Sequence, residues 1–375
     1  MLRGRETGLT FVEMVIAIAL MSLVILTFYA VIGVAVREWA AVEGQVEVQQ
    51  QPRIALARIA GETRQARDFV IGAGGRSLGL VKATVLLQDA APGATALEVE
   101  DASTLAPGMP LVIQSLTRLE RATVTAIAGT SVTLSGGTAR LHRRGEAVRR
   151  AQTALAGPAF AGSPSFAVDD GTVLRAGDLV AVGDEGPLDV LTVTGNVVAL
   201  GAPLAQAHPA GEVVQPLSVM FQCEGACLDP GAQVTRCTTA CGTPANRIPL
   251  ADLLAAPAPR PLFGAVAGTL AAPAPAGAIS VCLSNPPAGF QTEDRIRVGR
   301  EAHGPAGADL PERRRIVAAS GGCLTLDRGL VRGHAAGTVV RVDAVVLTAR
   351  AFRSNDAVGG QVQEVIVTTT VGLRN

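Results

Sequence analysis

Hydrophobic and polar positions fall into different patterns along the chain. Met14 to Val36 is a run of 23 residues without a formal charge. As a helix it would extend about 35 Å, enough to cross a bilayer with modest tilt. Between Gln49 and Phe69 the apolar residues Ile54, Leu56, Ile59, Ala60, Ala66 and Phe69 interleave with Arg53, Arg58, Glu62, Arg64 and Arg67. This spacing predicts an amphipathic helix with one face on a folded domain. Pro52 removes a backbone donor and crowds the preceding turn, so a bend or break is expected near Gln49 to Gln51. From Thr84 onward short alternating apolar runs are separated by Gly, Pro and Asp, which predicts strands joined by turns.

Charge sharpens the picture at the N-terminus. Arg3 and Arg5 against Glu6 precede the apolar run, and the positive-inside bias sends the chain beyond Val36 out of the cytoplasm. A secretory signal peptide has an apolar core of about 7–15 residues, shorter than this run. A plain anchor leaves Glu13 unexplained. An ionisable group there costs roughly 2.5–3.5 kcal/mol on insertion scales unless it finds a partner.

Gly8-Leu9-Thr10-Phe11-Val12-Glu13 ahead of the long apolar helix resembles the class III signal of type IV prepilins and type II secretion pseudopilins. Residues 53–66 and the ending Thr369-Thr370-Val371-Gly372-Leu373-Arg374-Asn375 also resemble PilW-like minor pilins. The resemblance implies cleavage after Gly8 by a membrane-embedded prepilin peptidase and methylation of the new amino group on Leu9. It implies that Glu13 pairs with the N-terminal amine of a neighbouring subunit, offsetting the desolvation of both charges. Gly8 has no side chain to obstruct a protease. The implied partners are the peptidase, other pilins, the inner-membrane assembly platform and the membrane. The implied location is a single inner-membrane pass before assembly and an extracellular pilus afterwards, with the head periplasmic or at the cell surface.

Self-similarity organises the middle of the chain. Ala96–Val99, Leu111–Ile113, Ala122–Thr125, Ser131–Leu134 and His142 are echoed by Ser165–Val168, Leu179–Val182, Leu191–Val193, Val197–Leu200 and His208. They are echoed again by Ile279–Cys282, Arg295–Val298, Arg315–Val317, Cys323–Leu326 and His334. Each unit reads as about five short strands. His142, His208 and His334 share the pattern His-x-x-Gly-x-x-Val and read as turn residues whose imidazoles bond nearby backbone. A catalytic dyad would need a nucleophile or carboxylate at a matched spacing, and none is read beside them. With no phosphate loop, His-Glu-x-x-His motif or nucleophile elbow, neither an enzyme nor a cofactor is expected.

These patterns give an α+β fold class: a pilin-like long helix on an antiparallel sheet, enlarged by inserted all-β repeats in barrel or solenoid form. The expected division is a leader (1–8), the N-terminal helix (9–72), β-modules at 84–150, 162–216 and 266–343, a Cys-rich insert (217–263), and C-terminal strands (344–375). All six cysteines lie in the outward part, where an even number favours disulfides. Cys282 with Cys323 is the economical pair. Cys223, Cys227, Cys237 and Cys241 allow three connectivities, with a Cys₄ zinc site as the disfavoured alternative. Their segment reads as a stapled exposed loop.

With 32 basic and 32 acidic residues, no global field steers the chain toward nucleic acid. Local basic clusters at Arg140, Arg143, Arg144, Arg149 and Arg150 and at Arg313, Arg314 and Arg315 make DNA a weak further candidate partner. The expected function is a minor type IV pilin at low copy near a pilus tip, supporting assembly, adhesion, motility or DNA uptake. A tip receptor for DNA or a surface, and a type II secretion pseudopilin, are the alternatives.

Overall fold

In the computed structural model, residues 11–72, 75–114, 119–183, 185–223, 234–239, 248–251, 254–255, 263–284, 289–299, 302–304, 307–309, 312–355 and 361–373 are described. Among the described residues one α-helix, α1 (Phe11–Gln65), precedes 29 strands, with a short 3₁₀ turn at Gly171–Val173 among them. It runs through Pro52 as one element rather than breaking before it. It also ends earlier than the pattern suggested: Ala66–Ile71 is a strand, so Phe69 anchors a sheet and not a helix face.

The fold class requires correction. The chain is mostly β, with 47% of residues in strands and 17% helical, and α1 does not pack on one sheet. Its C-terminal half meets two. One contains Ala66–Ile71, Ser77–Lys82, Val219–Cys223, Val234–Cys237 and Ile248–Ala251, in that order. The other is built on the hairpin Ala344–Asn355/Gln361–Gly372, flanked by Leu254–Ala255 and Phe263–Gly264. The two sheets share a core with Leu56, Ile59 and Ala60 of α1, to which Phe69, Leu80 and Phe221 contribute from one and Phe263, Val345 and Leu347 from the other. The Cys-rich segment is likewise not merely an exposed loop. Val219, Met220 and Phe221 are buried in the middle of the first sheet.

Strand alternation gives the first sheet two buried faces. Phe69, Leu80, Val219 and Phe221 point to α1, while Val70, Val81 and Met220 point the other way, against Leu179, Ala181 and Leu217. On that second face a Cβ at Gly79 would lie 2.5 Å from Leu217 Cδ1, so the Leu217 side chain would have to shift to admit one.

Three six-stranded units follow one plan. In the third, Ala267–Leu270, Ser280–Ser284, Cys323–Leu326, Glu312–Ser320, Arg295–Val298 and Val339–Val342 close a barrel. The first and second repeat this order, and their first and last strands are joined only by the single bridges Leu86↔Val99 and Leu155↔Val168. Each unit has its own apolar core. The alignment extends to backbone strain. The amides of Gly108, Gly177 and Glu293 donate to Val124, Val190 and Ile316 respectively, all at positive φ. Glu293, at φ 74°, is the one non-glycine residue with positive φ among the described residues. Such a conformation costs an L-residue about 1–2 kcal/mol.

Candidate functional site: the apolar helix and its attachment

Phe11 to Val36 is long and apolar enough to cross a membrane, as a single-pass anchor or a signal sequence would be, and none of it is buried in the protein. Two of its hydroxyl side chains bond to the helix itself: Ser22 Oγ donates to Ile18 O and Thr27 Oγ1 to Val24 O, both at 2.8 Å. Donors satisfied in this way can enter hydrocarbon without an orphaned polar group. Glu13 is the acid of the first turn. Gly8 and Leu9 lie outside the described residues.

The other end of α1 is held in the head. Pro52, Ala55, Leu56, Ile59, Ala60 and Thr63 form the buried stripe. Burying a Leu or Ile side chain contributes about 1.5–3 kcal/mol. At the edge of the stripe Glu62 bonds to Arg236 on the first sheet and to Lys82, the only lysine, at 2.9 Å. Burial alone would raise the Glu62 carboxyl, but the hydrogen bonds and charges of Arg236 and Lys82 outweigh it and hold the group below its ordinary value.

A second ionic junction ties the strand after α1 to the third barrel. Arg297 Nη1 lies 2.7 Å from Asp68 Oδ2, and its Nη2 lies 2.9 Å from Asp343 Oδ1. Arg341 also pairs with Asp68, while its guanidinium stacks 4.7 Å from the Phe69 ring centroid. Arg313 Nε approaches Asp343 Oδ2 at 3.2 Å, and the Arg67 carbonyl accepts from both Arg297 and Arg313. Burial pushes the Asp68 carboxyl up, yet Arg297 and Arg341 bring it down to about 2. Asp68 and Asp343, neither of them a sequence-based candidate, thus hold the junction.

The basic clusters are partly absorbed by the fold. Arg149 is buried, and Arg150 clasps Asp178 at 2.7 Å, joining the first barrel to the second. Arg313 belongs to the junction above. Arg314 pairs with Glu312 at 2.6 Å, and Arg315 pairs with Glu293 at 2.9 Å on the surface. Arg140, Arg143 and Arg144 are exposed.

The histidines differ from expectation. Their backbones pair in turns, with Ala90, Ala159 and Ala274, but their imidazoles contact carboxylates. His142 lies 2.8 Å from Glu146 and 2.9 Å from Glu120. His208 lies 2.8 Å from Glu212 and 2.7 Å from Glu185. His334 contacts Glu312 alone among these acids, at 3.2 Å. Glu146 and Glu212 follow the pattern glycine directly, a signal present in two of the three copies. Glu120, Glu185 and Glu312 come from the strand opposite, where no local spacing reveals them. Among the described residues no group of three or more His, Cys, Asp or Glu side chains could hold a metal.

Cys282 and Cys323 form a disulfide between paired strands of the third barrel. Cys223 and Cys237 are each disulfide-bonded, and Cys227 and Cys241 lie outside the described residues. No protein-family model matches this chain, and no curated protein sequence matches it significantly.

Proposed function

We propose that the chain is a minor type IV pilin. It is cut after Gly8 by a prepilin peptidase, held in the inner membrane by its apolar helix, and then incorporated at low copy near the tip of an extracellular pilus. Its role is structural and non-catalytic. Its partners are neighbouring pilins and the membrane assembly platform, and its barrels project outward.

The observation that supports this reading is the character of α1. One continuous helix carries a wholly exposed apolar segment with an acid in its first turn at one end, and a stripe locked into a β-rich head at the other. A simple anchor has no use for the acid. Between subunits in lipid, the Glu13 carboxylate would meet the amine on Leu9 of a neighbour, and each charge would lower the other's desolvation cost.

The test compares wild-type protein with Glu13→Val in cells that lack the native copy, scoring its presence in sheared surface filaments. Wild-type protein is expected in the filaments, with the variant processed but depleted there. Equal incorporation of the variant would refute the charge pairing. Loss of protein secretion alone on deletion, with filaments intact, would move the chain to a secretion pseudopilus.

A further inference from the structure

The second barrel holds a buried imidazole gripped from both sides. His208 Nε2 faces Glu185 from the start of the strand Glu185–Thr194, and Nδ1 faces Glu212 from the turn into the strand Val213–Leu217. The His208 and Glu185 side chains are 5% and 7% exposed, so water does little to screen the contacts. A neutral imidazole has one N–H and one lone pair. Only the doubly protonated ring can donate to both carboxylates, and in the neutral ring one lone pair would face a carboxylate oxygen less than 3 Å away.

Glu185 does more than hold the ring. Its Oε1 accepts the Ala205 amide at 2.7 Å and its Oε2 the Gln206 amide at 3.2 Å. The His208 backbone pairs with Ala159 across the barrel end. One carboxylate therefore fastens residues 205–208 to the barrel, and the imidazolium keeps two carboxylates together.

The third barrel supplies an internal comparison. Its Glu312 makes the same backbone contacts, to Val331 and Arg332 at 2.7 Å, and meets His334. The second acid is replaced by Thr338, which bonds instead to Ala335 O. Arg314 supplies Glu312 with a cation that does not titrate near neutrality. The matching position in the second barrel, two residues after its glutamate, is Pro187.

We propose that the Glu185–His208–Glu212 cluster is a pH-sensitive latch, closed when the imidazole is protonated and released in alkali, and that the third barrel, which lacks the second acid, has no such latch at the corresponding place. The groups facing the imidazole are Glu185 and Glu212. Burial would push His208 down, but the hydrogen bonds and charges of the two glutamates hold it above its ordinary value. A raised histidine stabilises the fold fully below the unfolded value of about 6.5, and the contribution is lost as pH rises through the raised value. The latch depends on the barrel alone and stands or falls independently of the helix and its membrane role.

Hydrogen exchange on the full chain in detergent micelles, corrected for the intrinsic rate at each pH, reads the latch directly. Between pH 6 and pH 9, protection of segment 203–211 should fall by about tenfold or more, as expected when charge-assisted hydrogen bonds are lost. Segment 329–337 should hold constant. In Glu212→Gln, which keeps a hydrogen-bonding side chain but removes one charge, the pH dependence of 203–211 should flatten. Unchanged wild-type protection from pH 6 to 9, the same fall in both segments, or an unaltered pH profile in the variant would each overturn the latch.

Discussion

From Phe11 to Val36 the side chains of α1 stand exposed on every side. From Pro52 to Gln65 buried and exposed positions follow the helical period, and the buried ones meet two sheets. The backbone is the same in both stretches; what differs is the solvent for which each is made. An all-round apolar helix is made to be covered on every side, which none of the described residues does here, and its Ser22 and Thr27 hydroxyls are turned back onto its own carbonyls. A one-sided helix needs only a sheet. The comparison teaches that one half of α1 holds the head together, while the other half packs on none of it and is long and apolar enough to cross a membrane.

Mutations should separate the halves. The largest expected effect is at Ile59: Ile59→Ala removes a fully buried side chain and should destabilise the head by about 2–5 kcal/mol, whereas Leu23→Ala should change it by no more than about 0.5 kcal/mol. Protection of the strand Ser77–Lys82 against hydrogen exchange in the full chain, in detergent, reports both. Comparable losses from the two variants would erase the distinction.

Acid gives the next effect. Asp68, just past the buried half, titrates at about 2 against an unfolded value near 3.9, so its contribution is present above that value and lost as pH falls toward 2. The magnitude is about 2 kcal/mol near neutrality. Asp68→Asn should remove that part of the acid sensitivity and weaken the docking of the third barrel, measured as the shift in unfolding midpoint between pH 5 and pH 2. The smallest effect on head stability is expected from Glu13→Val, which touches only the exposed half; its consequence should appear in assembly and not in hydrogen exchange of the head.

The division of α1 was legible because it rests on periodicity alone. The repeat was legible too, through His-x-x-Gly-x-x-Val and the strands around it. What escaped were features that depend on distant residues. Phe69 fits a helical stripe, and only its pairing with Leu80 makes it a strand residue. The strand Thr153–Ala154, two residues long, is too short to show alternation. The segment 219–223 looked like the border of a cysteine loop because the strand it joins, Ser77–Lys82, is separated from it by two whole barrels. For the histidines, the acids on the opposing strand lie more than twenty residues away in sequence. Ionic junctions such as Asp68–Arg297 have no sequence signature, since any aspartate and arginine would match.

The central claim is that residues 1–8 are a leader and that the exposed half of α1 begins the mature protein. Mass spectrometry of the N-terminal peptide, isolated from the membranes of cells carrying a prepilin peptidase, tests it most directly. The account predicts a peptide starting at Leu9 with a methylated amino group. A peptide starting at Met1, or one cut beyond Val36 as from a removed signal sequence, would contradict it.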